Sequence, residues 1–315
     1  MARRKGLRRA AVLVATVVAT TVGAIGPVPH AGADGVRYLD LVFDSYTVES
    51  DIPYGQSVNH LGVTQTHLLD VLQPAGDTLT NRPAVVWVHG GFFKRGSKEV
   101  EWYEEAREQY VKAGYVVFSI NYRLDESLPE GLLPTLQTLR IEEYIREAKD
   151  AAHDAQAAVR WVRAHAAEYR VNPNKIAVSG HSAGGIISQM VGYNEDDPGT
   201  SGTPGVSSRV QAVVSSAGGS MPVVLANVGL DEPPMFLSHG VADDIVPYPA
   251  DVPACVVTVL LGNVCEQQLD PDQEHPQFGY PGWREFLYRR MVNPPSGLRL
   301  PGFSVKVTGY PPLFP

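Results

Sequence analysis

The segment from Lys175 to Tyr193 restricts the folds open to this chain more than any other. Lys175-Ile176-Ala177-Val178-Ser179 is a short strand-like run, Gly180-His181-Ser182-Ala183-Gly184-Gly185 follows directly, and Ile186 to Tyr193 is apolar in the manner of a buried helix. A strand that passes into a helix through so short a turn needs residues without side chains where the backbones meet, and Gly180 and Gly184 stand there. The same G-x-S-x-G spacing holds the central Ser exposed and strained, where a distant His can take its proton and make the hydroxyl a nucleophile. Taken alone, the pattern also fits a helix-capping Ser. Its place between an apolar strand and an apolar helix favours Ser182 as a nucleophile.

Other apolar runs repeat the theme. Ala84-Val85-Val86-Trp87-Val88 stops at His89-Gly90-Gly91, and Val116-Val117-Phe118-Ser119-Ile120 stops at Asn121-Tyr122-Arg123, with a polar stretch at helical spacing, Val100 to Ala113, between them. Ile141 to Ala167 carries Ala151, Ala155, Ala158 and Val162 on one face and charges on the other, which predicts an amphipathic helix laid on a sheet. Val210 to Ser215, Pro234 to Ser238 and Val264 to Leu269 read as further strands, and Trp283 to Met291 as a helix. This alternation predicts a doubly wound, mostly parallel α/β sheet flanked by helices, with ligands beyond the carboxyl ends of its strands. Leu124 to Arg140 is an excursion after the second run, and Leu124 to Ile145 is the candidate for a lid or, alternatively, a solvated surface loop. The tail from Asn293 to Pro315 is rich in Pro and Gly and is expected to lack regular structure.

The first residues, Met-Ala-Arg-Arg-Lys-Gly-Leu-Arg-Arg, precede an apolar stretch from Ala10 to about Ile25 and then Ala31-Gly32-Ala33. These are the three regions of a signal peptide, with cleavage expected after Ala33 and secretion as the consequence; a membrane anchor would need a longer unbroken apolar run. Arg8-Arg9 leaves a twin-arginine export route open. Losing residues 1–33 removes Arg3, Arg4, Lys5, Arg8 and Arg9 and no acidic residue, so the formal net charge moves from −8 to −13. So acidic a surface repels phosphate backbones and anionic lipid, which argues against nucleic-acid binding. The remaining length, about 280 residues, suits one α/β domain. Cys255 and Cys265 are the only cysteines, and behind an export signal they are expected to form a disulfide. No Cys/His cluster accompanies them to suggest a metal.

Acyl-transfer chemistry also needs donors for an oxyanion. Backbone N–H groups of Gly91 and Phe92, at the end of the earlier strand, and of Ala183, just after the candidate nucleophile, are the expected donors. His89 is expected to be a structural residue of that loop, and a simple Gly-Gly chain reversal is the alternative.

With these motifs in hand, the sequence resembles secreted carboxylesterases and lipases of the α/β-hydrolase superfamily, close in pattern to the hormone-sensitive-lipase-like branch. The HGG loop, the GxSAGG elbow and the HGxxDxxVP acid loop of that group match His89 to Gly91, Gly180 to Gly185, and His239-Gly240-Val241-Ala242-Asp243-Asp244-Ile245-Val246-Pro247. The resemblance runs from about Leu68 to Met291. It implies the α/β-hydrolase fold, hydrolysis of small-molecule or lipid esters without metal or cofactor, and Asp243 as the acid, with Asp244 its neighbour. His275 is the only His after Asp243, where the chain order Ser, Asp, His places the base. Two residues depart from the branch: Phe92 stands where a third Gly is usual, and His181 where an Asp usually precedes the nucleophile. A peptidase-like hydrolase is an alternative, since HGxxDxxVP also occurs in oligopeptidases, although those carry a propeller for which this length is expected to leave no room. A non-catalytic binding module on the same fold is another.

Overall fold

The computed structural model describes residues 35–128, 141–195, 197–275, 280–294 and 302–307. The expected signal peptide and its cleavage after Ala33 lie outside these residues.

A hairpin with no clear strand signal in the sequence comes first among the described elements: β1 (Tyr46–Val58) pairs antiparallel with β2 (Thr64–Pro74). The continuous apolar runs then build the centre, as β3 (Arg82–Val88), β4 (Val116–Ile120) and β5 (Val171–His181), followed by β6 (Ala212–Ser216), β7 (Met235–Gly240), β8 (Val264–Asp270) and β9 (Gly302–Val307). Their order across the sheet is β1-β2-β4-β3-β5-β6-β7-β8-β9. Only the β1/β2 and β2/β4 pairs are antiparallel, so the doubly wound, mostly parallel reading holds. The tail is a correction. Rather than lacking regular structure, it supplies β9, parallel to β8 from the Val264/Gly302 pair to Leu269/Val307.

Burial on both faces explains why the central strands are apolar at every position. Val86 and Val88 of β3 face α2 (Ile141–Ala164) and α3 (Ala183–Tyr193), while Val85 and Trp87 face α1 (Glu104–Val111) and α6 (Tyr280–Leu287). Fully buried Ala151, Ala155 and Ala158 form the sheet-facing stripe that brings α2 close to the strands. On the other face Trp87 packs against Tyr110 and Trp283, with ring centroids 6.4 and 6.2 Å apart. α4 (Pro222–Asn227) and α5 (Val252–Leu260) complete the layers. Cys255 of α5 is bonded to Cys265 of β8, as expected. Closing so short a loop stabilises a fold by roughly 2 to 3 kcal/mol on the chain-entropy estimate.

Leu128, inside the candidate lid, is fully buried, and residues 141–145 form the start of α2. Residues 129–140 lie outside the described residues. Among the described residues, no helix is long and apolar enough to cross a membrane. Strand order reverses between β4-β3 and β3-β5, so the carboxyl ends of β3 and β5 flank the crevice where open α/β sheets hold ligands. The HGG loop leaves β3 there, and the elbow leaves β5.

Candidate active site

Ser182 sits between β5 and α3 with φ 56° and ψ −122°, a conformation that side-chain-bearing residues rarely adopt. Its N–H donates to the Ser216 carbonyl on β6 at 2.8 Å, which fixes the turn to the neighbouring strand. A Cβ added to Gly180 would lie 2.3 Å from the Gly184 carbonyl oxygen, and one added to Gly184 would lie 2.1 Å from that of Val88. The elbow therefore needs both glycines because backbone touches backbone there.

The HGG loop packs against the same turn, since a Cβ on Gly90 would come within 2.9 Å of the Ser182 Cβ and 2.4 Å of the Tyr103 hydroxyl. Left-handed φ values at Gly91, Phe92 and Phe93 (125°, 60° and 60°) curl this loop. Among the described residues, the N–H groups of Gly91, Phe92 and Ala183 have no hydrogen-bond acceptor. His89 is scaffold: its Nδ1 donates to the Gly90 carbonyl at 2.7 Å, its ring stacks on Tyr122, and burial lowers its pKa to about 4.

His275, beyond β8, and Asp243, in the turn after β7, come to Ser182 from the other side. His275 Nδ1 lies 2.7 Å from Asp243 Oδ2 and its Nε2 lies 3.0 Å from Ser182 Oγ. A carboxylate can only accept, so Nδ1 carries the proton and Nε2 is left to accept from the hydroxyl. Asp243 is buried whereas Asp244 is exposed, which separates the two adjacent carboxylates. Burial opposes ionisation of Asp243, but bonds from His239, His275 and the Val246 N–H outweigh it and hold its pKa below the usual carboxylate range.

The remaining histidines are elsewhere or differently engaged. His153 and His165 lie on and just beyond α2, facing Asp197 and the Trp161 carbonyl respectively. His181, buried beside the site with its ring 5.0 Å from that of His275, is kept neutral by burial and by the nearby His275, with its pKa lowered to about 3. His239, the first residue of the acid-loop motif, contacts both Asp243 and Asp251. Asp251 and its partner Gln189 carried no sequence signal. Among the described residues, two clusters have donor sets that a metal could use, His60/Asp125/Glu147 and Asp51/Asp70/Glu99. Arg146 already neutralises the first, and the Lys98 ammonium sits within 2.9 Å of Asp51 and Asp70 in the second.

A carbohydrate esterase from gut microbiota, in truncated form, superposes with a TM-score of 0.64 at 20% identity, over 79% of this chain and 98% of that one. The propionate-bound thermophilic esterase Est2 of Thermogutta terrifontis does so with a TM-score of 0.63 at 22% identity, over 81% and 97%. The chain has the α/β-hydrolase fold. The family model described as BD-FAE matches residues 69–132 and 142–227, which contain the HGG loop and the elbow. Among curated proteins, the probable carboxylic ester hydrolase LipM of Mycobacterium tuberculosis is 25% identical over 243 residues, 65% of this chain and 50% of LipM. The chain thus spans about half the length of that relative.

Proposed function

We propose that the chain hydrolyses carboxylic esters through an acyl-enzyme on Ser182. The observation that carries this reading is the row Ser182–His275–Asp243, joined at 3.0 and 2.7 Å. Ester hydrolases among its relatives and structural neighbours support it. In the first half-reaction, Ser182 Oγ attacks the ester carbonyl carbon while His275 Nε2 takes the hydroxyl proton. The carbonyl oxygen becomes an oxyanion, for which the N–H groups of Gly91, Phe92 and Ala183 are the proposed donors. His275 then protonates the departing alcohol, leaving the acyl group on Ser182. Water, deprotonated by His275, attacks that acyl group, and the acid leaves as the Ser182 hydroxyl regains its proton. Asp243 remains ionised throughout and steadies the imidazolium.

A panel of p-nitrophenyl esters from acetate to palmitate tests the activity and reads the preferred acyl length. Turnover of none of them, with no labelling by a fluorophosphonate, would favour the non-catalytic binding module. Asp243→Asn is expected to reduce kcat by roughly 10⁴-fold, because the amide favours the wrong His275 tautomer, while Asp244→Asn should stay within about 2-fold of wild type. Steady-state kinetics of the two variants make the check, and the reverse ranking would move the acid to Asp244.

We also infer that the protein acts outside the cytoplasm, as the N-terminal charge and apolar pattern and the Cys255–Cys265 bond together support. Mass spectrometry of exported protein is expected to find Asp34 at its N terminus; retention of Met1 would refute the cleavage.

A further inference from the structure

Behind Asp243 lies a second pair of titratable groups that the proposed mechanism does not use. His239 ends β7 and is buried, at 1% exposure. Its Nδ1 is 2.7 Å from Asp251 Oδ2, and its Nε2 is 2.7 Å from the Val246 carbonyl oxygen and 3.2 Å from Asp243 Oδ2. A carbonyl oxygen cannot donate, so Nε2 must carry a hydrogen, shared between Val246 and Asp243. Asp251 is fully buried and its other oxygen already accepts from Gln189 Nε2 at 2.7 Å. A buried carboxylate of this kind is costly without a cation, and the imidazole is the group placed to provide one. Both ring nitrogens therefore face acceptors, which is the environment of an imidazolium. The bonds to Asp243 and Asp251 outweigh the lowering effect of burial and raise the pKa of His239 to about 10.

Gln189 lies on α3, the helix that Ser182 opens. The contacts therefore close a circuit: Ser182 to His275, His275 to Asp243, Asp243 to His239, His239 to Asp251, and Asp251 to Gln189, back on the nucleophile's own helix. We propose that His239 is a positioning residue for ester hydrolysis, its cation tied through Asp251 and Gln189 to the nucleophile helix and holding the Asp243 carboxylate in line with His275. This rests on reading Ser182, His275 and Asp243 as the catalytic triad. The ionisable groups around His239 are Asp243 in the turn after β7, Asp251 at the start of α5, His275 beyond Asp243, and His181 at the end of β5. Because Asp243 divides its charge between two rings, losing the His239 cation leaves that charge to His275 alone. Both the charge and the alignment that Asp243 presents to His275 then change, and the acid limb of kcat/KM moves with them.

The experiment compares full-length wild type with His239→Gln/Asp251→Asn, a double variant that removes both buried charges together and strands neither. Active sites are counted by fluorophosphonate titration, and p-nitrophenyl acetate kinetics are followed from pH 5 to 9. The variant is expected to lose about 10- to 100-fold in kcat with KM within about 3-fold. Its acid limb should move by about half a pH unit or more. An unmoved limb, with or without a fall in kcat, overturns the proposal, since loosened packing would lower turnover without changing the carboxylate that faces His275. A measurement on the unaltered protein covers the case in which the variant fails to fold: ¹⁵N-histidine spectra at pH 8 should show one imidazole with both nitrogens protonated. A fully neutral set of imidazoles overturns it. Wild type that cleaves no ester would refute the triad reading and leave that spectrum unchanged, so the two failures are told apart.

Discussion

Ser182→Ala is expected to lower ester turnover by roughly 10⁴- to 10⁶-fold, equivalent to about 5 to 8 kcal/mol of transition-state stabilisation. The hydroxyl is the only group on the elbow that can form the acyl bond, and its side-chain hydrogen bond is to His275 Nε2. Nothing in the core depends on it, so the variant should unfold within about 2 °C of wild type. Turnover measured per folded molecule, together with loss of fluorophosphonate labelling, makes the check. Continued labelling at another Ser would remove Ser182 from the mechanism.

His275→Ala should cost nearly as much, and its controls make it the sharper test of the two. Without the imidazole, Ser182 has no acceptor for its proton and the departing alcohol no donor, so both half-reactions stall; a loss of roughly 10⁴- to 10⁶-fold is expected. His181 is the critical comparison, because its ring is 5.0 Å from that of His275 and it adjoins the nucleophile in sequence. Its Nδ1 faces Ser216 Oγ at 3.4 Å, and burial keeps it neutral, so His181→Ala should retain much of the activity. His153→Ala, on α2, should retain nearly all of it. Near-normal turnover in His275→Ala would place the base elsewhere and require a new reading of the segment after β8.

What could be read in the sequence follows from how each element is buried. β3, β4 and β5 are covered on both faces, so they appear as unbroken apolar runs that stop where a loop begins. β1 lies at the sheet's edge with most of its residues exposed or half-buried, and its polar, Gly- and Pro-containing sequence has no strand signature. β9 is hidden for the same reason: Ser304 to Val307 are exposed, and Pro and Gly residues surround a strand held mainly by backbone pairing with β8. In the site, the elbow and HGG loop could be read because the chemistry there is written in consecutive residues. Asp243 and His275 are 32 residues apart and required the chain order of the fold to link them. The His239–Asp251–Gln189 connection was out of reach, since Gln189 and Asp251 are 62 residues apart and Gln189 is one polar residue inside a wholly buried helix.

The backbone at Ser182 bears on how such a chain persists over generations of mutation. A left-handed non-glycine residue of this kind costs about 1 to 3 kcal/mol, and glycine at position 182 would relieve it. Phe92 and Phe93, two more of the strained positions, lie in the loop packed against it. Ser182, Phe92 and Phe93 hold side chains at positive φ around one projecting hydroxyl, so a Ser182→Gly change is expected to gain stability while giving up the proposed nucleophile.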